Sequence, residues 1–264
     1  SFGGQGAIVP GSVGKALTVP ELHADFSLNA VNSISAGGLL ASGVCRLTPG
    51  HDLSGKQLAQ LASSLGPNLA ARLEVVAHMH LPVFHTEHCV FCRFLSSGDN
   101  YTNCGHPCES NAVHLRDSSG HDHLVLADMG CRNTVFNSQA QSAVHLMPRL
   151  LAAGVRRFRI ELVDEPAEAV APLIDAYRSV AAETPGSKEG KKRAAAVWKW
   201  LQTVPDANGN AQGVTLGSLR DAVEKDYTEL KLTKTRAREQ QVHLQQQREK
   251  QPRAVPRPRP TAWG

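Results

Sequence analysis

The sequence lacks any apolar run approaching the roughly 20 residues that a bilayer-spanning helix needs, so no membrane span is expected. It lacks an initiator Met and opens inside a Gly/Ser/Pro-rich stretch, SFGGQGAIVPGSVGKALTVP. That opening leads us to expect a fragment or processed product, with any targeting signal outside it. It lacks a GxSxG elbow, which leaves a serine nucleophile without its usual turn. It lacks HExxH as well. HMHLPVFHTEH comes superficially near zincin spacing, but Pro82 opposes a helix carrying two ligands. Strong net charge is absent too, at +4, although the last third collects Lys and Arg. The basic stretch from Lys234 to Arg259 has no interleaved aromatics for base stacking, Trp263 standing alone at the end. A solvated helix and linker is the ordinary reading of such a stretch, with RNA contact through phosphates the other.

Cysteine is scarce outside one run. The 264 residues hold six, and five of them lie between Phe84 and Asn137. So few in so long a chain exclude a secreted disulfide scaffold and point to an intracellular, reducing compartment. Nine of the twelve histidines fall between His78 and His145, several interleaved with the thiols. A hydrophobic content of 41% is enough for a core, so global disorder is excluded.

Taken in order, residues 1–20 read as a flexible lead-in. HADFSLNAVN and VCRLTP read as strands on either side of a short helix over 33–42. Ser54 with Gln57 forms a capping-box pattern, and Leu58, Leu61, Ala62 and Leu65 give that helix its buried face up to Gly66. LEVVAHMHLPVF predicts a single strand leading into the cysteine run. Within the run, AVHLRD and LVLADMG predict short strands between turn-forming loops. The pattern then predicts a helix over 138–153 kinked by Pro148, a strand RRFRIELV, and a helix opened by Pro166. This alternation argues for parallel strands with crossover helices. The expected fold is α/β: a partial (β/α) TIM-like barrel over 21–183 with a Cys-rich insertion at 84–137. A linker with a short helix (184–213), a charged helix (214–250) able to bind a protein partner, and a disordered basic tail (251–264) complete the expected organisation.

Cys89-x-x-Cys92 and Cys104-x-x-x-Cys108 are close thiol pairs, with Cys131 further on. A short turn can aim two thiolates at one ion, and zinc or an iron–sulfur cluster would suit them equally. Buried reduced thiols are the bland alternative; Cys45, alone at a strand start, fits that one. His85, Glu87 and His88 precede the first thiol and suit proton transfer. Arg132 and Asn133 follow Cys131, where a guanidinium can clamp a carboxylate or phosphate. Arg159 and Glu161 alternate on a strand, so both can point into a barrel interior. Structural hydrogen bonds or ion pairs are the alternative for each of these.

HTEHCVFCRFLSSG, CGHPC, LRDSSGHDHLVLADMGCRNTVFN and RFRIELVDE, in this order and spacing, resemble the collagenase-like U-thirty-two peptidase family across about residues 23–182. The resemblance implies the distal part of a (β/α) barrel, the upstream half lying outside this chain. It also implies an iron–sulfur-dependent, oxygen-independent hydroxylase that modifies an RNA base or the ubiquinone ring, in some cases with prephenate as hydroxyl donor. Cys89, Cys104, Cys108 and Cys131 would then ligate a [4Fe–4S] cluster, with Cys92 as a spare or an exchange partner for Cys89. Two further readings stand beside it: a collagenase-like peptidase, as the family is named, and a zinc-stapled, non-catalytic interaction module.

Overall fold

The computed structural model describes residues 20–163, 165–205 and 213–221. The lead-in over 1–19, most of the 205–213 stretch, and the charged helix and basic tail beyond 221 lie outside the described residues.

The chain begins with β1 (His23–Ala24), α1 (Ser33–Ala41), β2 (Arg46–Leu47), α2 (Gly55–Ala70) and β3 (Glu74–Met79). Local capping starts both helices. The Asn32 carboxamide accepts from Ile34 and Ser35 N–H, and Ser54 and Gln57 close a reciprocal capping box. Gly66, at φ 74, breaks α2 and Pro67 restarts it, a left-handed step that glycine makes without strain. β1 pairs in parallel with β2, a parallel bridge joins Leu47 to Leu73, and β3 pairs in parallel with β9 (Arg157–Ile160). The parallel strands with crossover helices follow the sequence pattern.

Between β3 and β9 lie β4 (Pro82–Thr86), α3 (Val90–Leu95), β5 (Val113–Arg116), β6 (Asp122–Ala127), β7 (Asn133–Phe136), β8 (Ala140–Ser142) and α4 (Met147–Ala152). After β9 come α5 (Ala167–Ala181), α6 (Lys188–Leu201) and β10 (Val214–Thr215). The result is a mixed α/β fold with three sheets, ordered β1-β2, β10-β8-β3-β9 and β4-β7-β6-β5, and no closed barrel among the described residues. β8 returns directly from the cysteine region without a crossover and so meets β3 antiparallel.

Several expectations are corrected. The stretch 23–32 is not one strand: the Asp25 carboxylate accepts from Phe26 N–H and folds a 3₁₀ turn that ends at left-handed Asn29. The stretch 73–84 is two strands in different sheets, parted at His80 and Leu81, with Pro82 opening the second. Pro148 does not kink a long helix but stands in the first turn of the short α4, where a missing N–H costs nothing. The short helix expected within 184–213 is longer than expected, running over Lys188–Leu201. Ser187 caps α6, whose Ala194, Val197 and Leu201 are buried in the same core as Leu173 and Tyr177 of α5. Residues 214–219 form a strand on β8 and a 3₁₀ turn rather than the start of a helix.

The main core joins Leu40, Leu47, Leu58, Leu61, Leu73, Met147, Leu150 and Leu173. The antiparallel sheet β4-β7-β6-β5 has a separate, small core of Phe91, Val125 and Val135. No helix among the described residues is long and apolar enough to cross a membrane.

Candidate functional site: a pocket lined by five thiols

The antiparallel sheet meets the α/β part at a neck where Asn137 N–H donates to Leu81 O at 2.8 Å. Each cysteine of this lobe is placed by a short, irregular piece of backbone. Cys89 is the N-cap of α3, its sulfur accepting from Cys92 N–H at 3.5 Å. Cys92 is buried one turn along, with its thiol donating to Gly98 O at 3.4 Å. Gly98 is needed there, because a Cβ would meet the Asn103 carbonyl at 2.5 Å. The Asn103 carboxamide accepts from Asp99 and Asn100 N–H, and this Asx-type turn delivers Cys104. Gly105 and His106 then take left-handed φ values of 68 and 54, so that Pro107 starts the 3₁₀ turn carrying Cys108. That turn packs against α3. On the far side, the Asp128 carboxylate accepts from Gly130 and Arg132 N–H and sets Cys131 at φ 58.

These pieces enclose a pocket of ≈ 940 Å³ lined by all five thiols, together with Glu87, His88, Arg93, Phe94, Tyr101 and His106 among others. All six cysteines are free of disulfides. Burial pushes the Cys92 thiol up, and the neighbouring Cys104 and Cys89 sulfurs push it further. Burial also raises Cys108, again with Cys89 and Cys104 adding to the shift. Several thiolates crowded together repel unless a cation lies among them. Among the described residues no group of three or more His, Cys, Asp or Glu is arranged around a single ion.

The remaining sequence-predicted residues divide clearly. Glu87 and His88 line the pocket. His85 does not; it sits on β4 with Nδ1 2.8 Å from Thr134 Oγ1 on β7. Arg132 turns its guanidinium to Asp128, 3.0 Å away, and lies outside the lining. Asn133 is completely buried. Its Oδ1 accepts from Val90 N–H at 2.6 Å and its Nδ2 donates to Cys89 Sγ at 3.8 Å, so it positions the first thiol. Arg159 and Glu161 belong to the α/β core. Arg159 pairs with Asp25 at 2.8 Å, Glu161 at 3.0 Å and Glu74 at 3.7 Å, an ion-pair network rather than part of the thiol pocket.

Sequence reading missed two features. The rings of Phe94 and Tyr101 give the pocket an aromatic wall. A buried network of His78, His80, Glu165, Tyr177 and Ser142 lies beneath the neck, and its one local signal is a His-x-His pair on a strand end.

The family model described as Peptidase family U32 matches residues 9–210. No curated protein and no solved structure matches the chain.

Proposed function

The chain belongs to peptidase family U32, and from that premise we propose that its thiol pocket holds a [4Fe–4S] cluster and serves an oxygen-independent hydroxylation of an RNA base. The observation that carries this reading is the poverty of the lobe's core. Three buried apolar side chains underlie four strands, while five unbridged thiols line one pocket. A unit that small needs a staple beyond apolar burial. With no disulfide present, a metal centre is the staple its donors suit.

Four thiolates are the ligand set that such a cluster usually takes. Cys89, Cys104, Cys108 and Cys131 would hold the cluster, leaving Cys92 as the fifth thiol. N–H donors from Cys92 and Asn133 already face the Cys89 sulfur, the kind of hydrogen bond that tunes such centres. When bound, the cluster supplies electron transfer without molecular oxygen. Around it, Phe94 and Tyr101 offer ring faces for a planar base and Arg93 a guanidinium for phosphate or for the carboxylates of a donor such as prephenate. Glu87 and His88 are among the lining groups able to take and return a proton. The parallel strands β1, β2, β3 and β9 support reading the core as part of a (β/α) barrel, and the free thiols suit a reducing compartment.

The family description favours a second reading, a peptidase. A cysteine nucleophile needs a depressed thiol pKa, usually from a partnering histidine. Cys92 and Cys108 are shifted the opposite way, and the Cys89 sulfur accepts from a backbone N–H and a carboxamide.

Single Cys→Ser variants test the proposal. After anaerobic purification, variants at Cys89, Cys104, Cys108 and Cys131 should lose the visible iron–sulfur absorption, and Cys92→Ser should keep it. Gelatin or casein turnover that disappears in Cys89→Ala yet survives iron chelation would establish the peptidase instead.

A further inference from the structure

Helix α6 sets five cations, Lys188, Lys191, Lys192, Arg193 and Lys199, against one acid, Glu189. That excess of +4 equals the net charge of the whole chain, so the other residues balance to zero. Gly190, Ala194, Val197 and Leu201 are buried and fix which side of the helix meets the core. At 3.6 residues per turn, Lys188, Lys192 and Lys199 fall within about 40° of one another on the opposite side. Lys191 flanks this row, and all four lysines are exposed. Arg193 pairs with Glu183 at 3.5 Å, whereas none of the four lysines has an ion-pair partner among the described residues.

This arrangement works against the helix that carries it. Lys188 and Lys192 stand one turn apart, where like charges repel. Lys188 also follows directly on the Ser187 cap, at the end of the helix whose dipole favours an anion. An anion lying along the row relieves both. From Lys188 to Lys199 the row runs about 16 Å at 1.5 Å per residue, long enough for several phosphates of one strand.

Aromatic rings border the same row. Trp198 lies on the Lys191 flank of α6 and stacks on exposed His145, with ring centroids 4.6 Å apart and planes 33° from parallel. Between the lysines stand Ala195 and Ala196, both exposed. A membrane surface needs large apolar side chains among the cations, and this row has none. Unpaired cations beside stacked rings suit a single nucleic-acid strand, which offers phosphates to the ammonium groups and a base to a ring.

We propose that the outer face of α6, with the His145–Trp198 stack, is an RNA-strand contact surface. Lys188, Lys191, Lys192 and Lys199 hold phosphates there, and the His145 ring stacks a base. The substrate class rests on the RNA reading of the thiol pocket; the phosphate contacts do not depend on what the thiols bind.

Fluorescence anisotropy of a single-stranded RNA of about 12 nucleotides with the full chain, at several salt concentrations, tests this. Lys188→Gln, Lys192→Gln and Lys199→Gln together should weaken binding about tenfold or more. They should also make the log–log salt slope shallower by about 2, for three lost phosphate contacts at about 0.7 each. His145→Ala should weaken binding about tenfold without changing the slope. The basic stretch from Lys234 to Arg259 stays in every variant, so the differences belong to α6 and its ring stack. Removing like charges should leave the urea midpoint unchanged or raise it, so lost binding is not unfolding. An unchanged slope in the triple variant, or His145→Ala that binds like the parent, overturns the proposal. Equal loss of binding to polyglutamate or to phosphatidylserine vesicles overturns it too, since the row would then be a general polyanion patch. Iron content of the same proteins reports on the cluster separately: an iron-free chain that binds RNA through α6 keeps this inference while the cluster reading falls.

Discussion

Asn133 ties two ends of the thiol pocket at once, because its carboxamide accepts from the first N–H of α3 and donates to the Cys89 sulfur. Replacing it by Ala strands a buried N–H and removes a hydrogen bond from the thiol. We expect Asn133→Ala to cost about 1–3 kcal/mol in urea denaturation and to lower metal incorporation. Asp117 shows the same economy at the tip of the β5–β6 hairpin. N–H donation from His121 comes first; burial opposes it, and His123 and Ser119 N–H add to it, so the carboxyl sits at about 2. Its folded pKa lies below the unfolded value of about 3.9, so the contribution is present above about pH 4 and lost as pH falls through about 2. Amide shifts of Ser119 and His121 followed in acid should titrate near 2; a midpoint near 4 would show that these bonds do not form. Neither residue's role was legible in the sequence. Asn133 and Cys89 are separated by 44 positions, and no local pattern carries that distance.

At the level of elements, what could be read was what local chemistry decides. Ser54 and Gln57 announced α2, and Pro166 marked the start of α5. What failed depended on partners far along the chain. The apolar run around β3 and β4 looks continuous, and it divides only because β9 and β7 pair with its two halves. The helix within 184–213 was legible, but its place in the core was not, because its charged face dominates the sequence; Leu201 is 1% exposed within the main core. Leu201→Ala should therefore destabilise the fold by about 2–5 kcal/mol, as a core truncation does, when measured by thermal or urea unfolding. A change within about 0.5 kcal/mol would mean the helix is a surface spacer.

Across the whole described chain, two hydrophobic clusters differ greatly in size. The α/β part has a broad apolar core; the cysteine lobe has three buried apolar side chains and five free thiols. On the proposed reading, the group held by the thiols supplies much of the lobe's stability, so binding and local folding would be one equilibrium. Removing that group should raise hydrogen exchange through residues 84–137 while β3 and β9 stay protected. The clustering of the thiols was visible from the start, whereas the left-handed backbone at His106 and Cys131 that helps direct them into one pocket was not. The most direct test is iron, sulfide and zinc content of the anaerobically purified chain. The account predicts a brown protein with about four iron and four sulfide per chain, and a colourless protein carrying zinc would contradict it.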